Sequence, residues 1–162
     1  MNLFEEGPLE FLKVLNANGV KFIVVGGIAV NYYGYSRSTG DIDLWVDDST
    51  ENREKIVAAL KEYGIDGAEI FISHPLIAGY SEIMLDNGIY VDLMAALQFF
   101  SQGNFYECYQ MGMDWQPEEN VSIKVLNIKQ LIEEKEKSLR PKDKEDAIQL
   151  KEIRELLRKG KK

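Results

Sequence analysis

The run Val24-Val25-Gly26-Gly27-Ile28-Ala29-Val30, followed by Arg37-Ser38-Thr39-Gly40-Asp41-Ile42-Asp43-Leu44-Trp45-Val46, constrains this chain more than any other stretch. Residues 20 to 25 are β-branched and aromatic enough for a largely buried strand, and Ile28, Ala29, Tyr32 and Tyr33 recur at helical spacing directly afterwards. Gly26 and Gly27 therefore occupy a strand-to-helix turn. The segment from Asp41 reads as a second strand, in which side chains two apart share a face of the sheet. Asp41 and Asp43 face together, and Ile42 and Leu44 point the other way.

Two ionised carboxylates side by side repel one another, so the arrangement is costly unless a cation or hydrogen-bond donors sit between them. Magnesium suits such a place, because it prefers oxygen ligands and leaves positions open for water and phosphate. The plainer alternative is that Asp41 follows a glycine turn and Asp43 faces solvent at a sheet edge. The glycine pair has two readings as well. Without a Cβ it lets backbone amides approach a phosphate at the start of a helix, and it equally suits a tight turn needing positive φ. Neither a GxGxxG fingerprint nor a Gly-Lys-Ser/Thr loop is present.

The pattern along the chain predicts helices over residues 8–18, 27–34 and 49–63, the last capped by Ser49 or Thr50 and ended by Gly64. Strands are predicted at 21–25, 41–46, 68–73, 81–85, 89–94 and 121–126, with Asp86-Asn87-Gly88 turning a hairpin between two of them. Two or more helices close the chain. This is an α/β fold with a mixed sheet flanked by helices, and 162 residues suit one domain, with a core of about 1–126 and a helical segment of about 127–162 packed on it.

Neither a signal peptide nor a membrane span is evident, and with Cys108 as the only cysteine no intrachain disulfide can form, so a cytoplasmic protein is expected. One histidine, His74, makes neither a catalytic triad nor a zinc site. Residues 127–162 hold 12 of the 19 Lys/Arg but 8 of the 27 Asp/Glu, which leaves the preceding part strongly acidic. That balance disfavours an extensive duplex nucleic-acid surface.

Taken together, Gly26-Gly27, the step from Gly27 to Gly40, Arg37, Thr39 and Asp41-Ile42-Asp43 resemble the signature of the DNA polymerase beta-like nucleotidyltransferase superfamily. The resemblance is to its small bacterial stand-alone members, which include resistance adenylyltransferases and the toxins of toxin–antitoxin pairs. It calls for a third carboxylate on a later strand, met here by Asp92 in Gly88-Ile89-Tyr90-Val91-Asp92-Leu93-Met94. By resemblance, Asp41, Asp43 and Asp92 are catalytic and hold Mg²⁺, two ions with Mn²⁺ as a substitute, and Asp92 helps deprotonate the acceptor hydroxyl. Gly26, Gly27, Arg37 and Thr39 would bind the nucleotide. Many members carry Gly-Ser at the turn. Gly27 replaces that serine here, leaving backbone amides as donors unless Ser36, Ser38 or Thr39 contributes a hydroxyl.

Near the end of the chain, Ile128, Leu131, Ile132, Lys135 and Leu139 fall on one helical stripe, and Asp143, Ala147, Leu150, Ile153 and Leu157 on another, after Pro141 opens a new helix. Lys135 either snorkels to solvent or meets an anion. A Lys135 to Asp143 contact, with Lys135 binding phosphate, is the expectation carried forward. The aromatics Phe99, Phe100, Phe105, Tyr106, Tyr109 and Trp115 either stack a ring of substrate or pack the helices on the sheet.

The function implied is transfer of a nucleoside monophosphate from an NTP such as ATP to a hydroxyl-type acceptor on a small molecule, an RNA end or a protein, with release of pyrophosphate. The alternatives are a catalytically weak nucleotide-binding module, and a toxin-like component held by an antitoxin partner.

Overall fold

The computed structural model describes residues 6–70, 80–86 and 88–160. Six strands and six α-helices follow one another among them: α1 (Glu6–Ala17), β1 (Phe22–Val25), α2 (Gly26–Tyr32), β2 (Asp41–Val46), α3 (Thr50–Tyr63), β3 (Tyr80–Met84), β4 (Tyr90–Met94), α4 (Phe105–Met111), β5 (Met113–Glu118), β6 (Val121–Val125), α5 (Ile128–Lys137) and α6 (Pro141–Gly160). The strands form one sheet in the order β3-β4-β2-β1-β6-β5. Pairs β1/β6 and β2/β4 are parallel, and β1/β2, β3/β4 and β5/β6 are antiparallel. The mixed α/β sheet expected from the sequence is the one observed.

Local chemistry sets the boundaries. The Ser49 side chain accepts from the Asn52 amide at the start of α3, and Gly64 ends that helix in the left-handed region at φ 98°. The sequence reading differs from the structure at several places, one of them helix α4, which the residue pattern between 94 and 121 did not predict. Residues 66–69 form a turn, so the strand expected at 68–73 does not begin there, and its residues 71–73 lie outside the described ones, as do Asn87 and His74. Strand β5 was not expected, because Met113-Asp114-Trp115-Gln116-Pro117-Glu118 is polar and carries a proline. It is an edge strand, where a missing N–H is tolerated. Within the mixed sheet, β1 and β2 are antiparallel although a helix joins them. The short α2 and the extended loop after it return the chain to the end of β1 from which it left, so Val25 lies beside Asp43.

The continuous apolar core runs from Phe11 in α1 to Leu150 in α6, with Ile42, Leu44, Val91 and Leu93 fully buried on one face of the sheet. Of the two stripes read near the end of the chain, Leu131, Ile132, Lys135, Asp143, Ala147 and Leu150 are buried. Leu139 is 88% exposed and Leu157 50%, the first because α5 stops at Lys137 and the second because α6 runs past the core. No helix among the described residues is long and apolar enough to cross a membrane.

Candidate active site

Strand register puts the acidic side chains in a row. Asp43 on β2 pairs with Asp92 on β4, and Asp92 pairs with Glu82 on β3, so the three lie side by side on the sheet face opposite the core. Asp41 sits two residues back along β2 on the same face. All four line a cavity of about 600 Å³, a size that suits a small-molecule ligand.

Their electrostatics are unfavourable without a cation. Burial, the charges of Asp92 and Asp41, and a shared hydrogen bond with Asp92 push Asp43 up to about 7. Burial and the Asp41 charge likewise raise Asp92, against the effect of that hydrogen bond. Oδ1 of Asp92 is buried with no hydrogen-bond partner. Gly26, at the start of α2, forms the floor beside Asp43. Its φ is 65°, and an ideal Cβ there would collide with Oδ2 of Asp43.

The facing wall comes from α5, α6 and the turn between them. Lys135 Nζ lies 2.7 Å from Asp143 Oδ1, as expected, and also 3.0 Å from Asp146 Oδ2. Asp143 accepts two further bonds, 2.6 Å from Ser138 Oγ and 2.7 Å from Arg140 Nε. Burial alone would raise Asp143, but the hydrogen bonds from Arg140, Lys135 and Ser138 outweigh it and hold this carboxyl well below the usual carboxylate range. Arg140 lines the cavity with its side chain 73% exposed. Only its Nε is engaged among the described residues, which leaves the two Nη groups to face a ligand. Glu134 accepts the amides of Gln98 and Phe99, fixing the loop that forms one edge of the cavity.

Of the residues expected at the site, Asp41, Asp43, Asp92, Gly26 and Lys135 line this cavity, whereas Gly27, Arg37 and Thr39 do not. Arg37 is taken by Asp146 in a two-bond pair, at 2.7 and 2.8 Å, instead of reaching the cavity. Gly27 is packed under Thr39 and Arg37, and an ideal Cβ would stand 2.7 Å from Thr39 Oγ1. None of the six aromatics lines the cavity, and for four of them the packing alternative is the one observed. Phe105 is buried in the core, and Phe100, Tyr109 and Trp115 pack against it. Sequence reasoning missed Glu82, Ser138, Arg140 and Asp146. The spacing of Asp146 from Asp143, three residues along one helix face, was the available signal for the last.

The acidic row fits a hard divalent cation. Its donors are all carboxylate oxygens, one of them buried and unpartnered, and the anions destabilise one another. No group of three or more His, Cys, Asp or Glu among the described residues is arranged to enclose an ion by itself. Mg²⁺ needs only one or two carboxylates, its remaining positions going to water and phosphate.

Residues 6–73 match the model of a family described as Nucleotidyl transferase of unknown function (DUF2204). The match agrees with the resemblance to nucleotidyltransferases read from the sequence. The matched segment spans α1 to α3 and contains Gly26, Asp41 and Asp43, while Asp92 and the wall carrying Lys135 and Arg140 lie beyond it. No curated protein matches the chain. The family match supports nucleotidyl transfer in general.

Proposed function

We propose that this protein transfers a nucleoside monophosphate from a metal-bound nucleoside triphosphate to a hydroxyl-type acceptor. The acceptor oxygen attacks the α-phosphorus, the bond to the bridging oxygen of pyrophosphate breaks, and the acceptor proton passes to a carboxylate. The observation that carries this reading is one cavity with carboxylates on its sheet wall and cationic groups on its helical wall.

Asp41 and Asp43 would hold Mg²⁺, with Asp92 completing the set. Bound there, the cation supplies neutralisation of phosphate charge and alignment of donor with acceptor. Asp92, whose proton affinity is raised, is the acceptor's proton sink. Arg140 offers its free Nη groups to phosphate oxygens, a geometry suited to planar two-point recognition. Lys135 adds positive charge behind it, stabilising charge that develops on the leaving pyrophosphate.

Incubation with labelled ATP, CTP, GTP or UTP and Mg²⁺, with pyrophosphate release as readout, tests the reading. Asp41→Ala, Asp43→Ala and Asp92→Ala should each lower the rate at least about 100-fold, and Arg140→Gln should raise KM for the triphosphate more than it lowers kcat. Equal release by wild type and all three aspartate variants contradicts it. Triphosphate binding without product across small-molecule, RNA and protein acceptors would assign the site to nucleotide binding alone, and mass analysis of the labelled acceptor would identify its class.

A further inference from the structure

We infer that Asp146 is a positioning residue that keeps Lys135 on the helical wall of the cavity, away from the acidic row opposite. The inference rests on the metal-bound nucleotide reading above and gives a task to a residue outside the cavity lining.

Asp146 is fully buried in α6 and serves as a hub for charge. It binds Arg37 Nε and Nη2 at 2.7 and 2.8 Å and Lys135 Nζ at 3.0 Å, joining the loop before β2 to a helix 109 residues further along the chain. A buried ionic hub is poor evidence for stability, because apolar side chains of similar volume would pack there without the cost of desolvating charge. Its effect on Lys135 is more specific. The ammonium stands on a flexible four-carbon stem in a cavity whose other wall holds Asp41, Asp43, Asp92 and Glu82. The Lys135 charge already acts on Asp43, lowering its proton affinity. A single carboxylate, Asp143, is shared with Ser138 and Arg140. With the second anchor of Asp146 removed, the ammonium has a competing destination across the cavity, where it would occupy the place of a divalent cation. The same carboxylate holds Arg37 outside the cavity.

The test measures Mn²⁺ binding, by the free-ion electron paramagnetic resonance signal, in the whole protein with and without a non-hydrolysable triphosphate analogue. Asp146→Asn should weaken Mn²⁺ binding at least about 5-fold, and adding Lys135→Gln to that variant should restore the binding measured without the analogue, since the competing ammonium is gone. A purely structural role gives no such rescue. If Asp146→Asn folds and binds Mn²⁺ as wild type does, or if the double variant stays as weak as the single one, the inference is overturned. Should Asp146→Asn fail to fold, the ammonium ¹H–¹⁵N signal of Lys135 in wild type decides. It should be resolved and persist when Mg²⁺ is added, and a signal averaged away by exchange refutes the anchoring. A wild-type protein that binds no Mn²⁺ under either condition overturns this inference together with the reading beneath it, a result distinct from the others.

Discussion

Gly26 and Asp43 are fitted to one another: an ideal Cβ on the glycine would come within 2.8 Å of the aspartate Cγ and collide with its carboxylate oxygen. The pair arises because the end of β1 lies against the start of β2, with Val25 in register with Asp43. The bare backbone at position 26 is thus what lets a carboxylate stand over the turn.

Gly26→Ala should therefore do two things. The positive φ of 65° is strained for any residue with a Cβ, and the methyl group would displace Asp43. A stability loss of about 2 kcal/mol in urea denaturation is expected, with loss of nucleotidyl transfer that exceeds what the lowered folded fraction explains.

Position 27 behaves differently. Here the would-be Cβ meets Thr39 Oγ1 at 2.7 Å and Arg37 Nη1 at 2.9 Å, so the space that a serine would need is already filled. Gly27→Ser should destabilise by about 1–2 kcal/mol, and Thr39→Ala in the same chain should recover part of that loss. A double-mutant cycle on unfolding free energies measures the coupling. The departure from Gly-Ser is in this view a matched exchange with Thr39.

Asp43 supplies a pH dependence with a definite sign. Its folded pKa, about 7, exceeds the usual carboxylate value near 4, so the folded state retains a proton that the unfolded state has released. In the presence of a chelator, stability should fall as pH rises from about 4 to 7 and level off above. Asp43→Asn should reduce that fall, Asp92 keeping a share because its carboxyl is raised as well, and raise the melting temperature at pH 8 by roughly 5 °C, read by calorimetry. Added Mg²⁺ should stabilise wild type at pH 8 but give the variant far less.

Much of this site was legible from residue order. Strand alternation placed Asp41, Asp43 and Asp92 on one face because the period of two is a property of the backbone, and the apolar stripes of α5 and α6 put Lys135 and Asp143 inward together. Partner choice was less legible. Arg37 looked like a phosphate ligand, but its partner, Asp146, sits 109 residues away and only the packing of α6 against the loop before β2 brings them together. Glu82 entered the acidic row through the register of β3 with β4, which depends on hairpin closure. Strand β5 was hidden by its proline and its polar residues, tolerated because it is an edge.

On the proposed function, the carboxylates of β2 and β4 hold a divalent cation for a nucleoside triphosphate. Titration of Mn²⁺ into the protein with a non-hydrolysable ATP analogue, followed by water-proton relaxation, addresses it directly. A ternary complex is expected in wild type, with affinity lowered at least about 10-fold in Asp41→Asn/Asp43→Asn. A folded double variant that forms the same complex with undiminished affinity would contradict it.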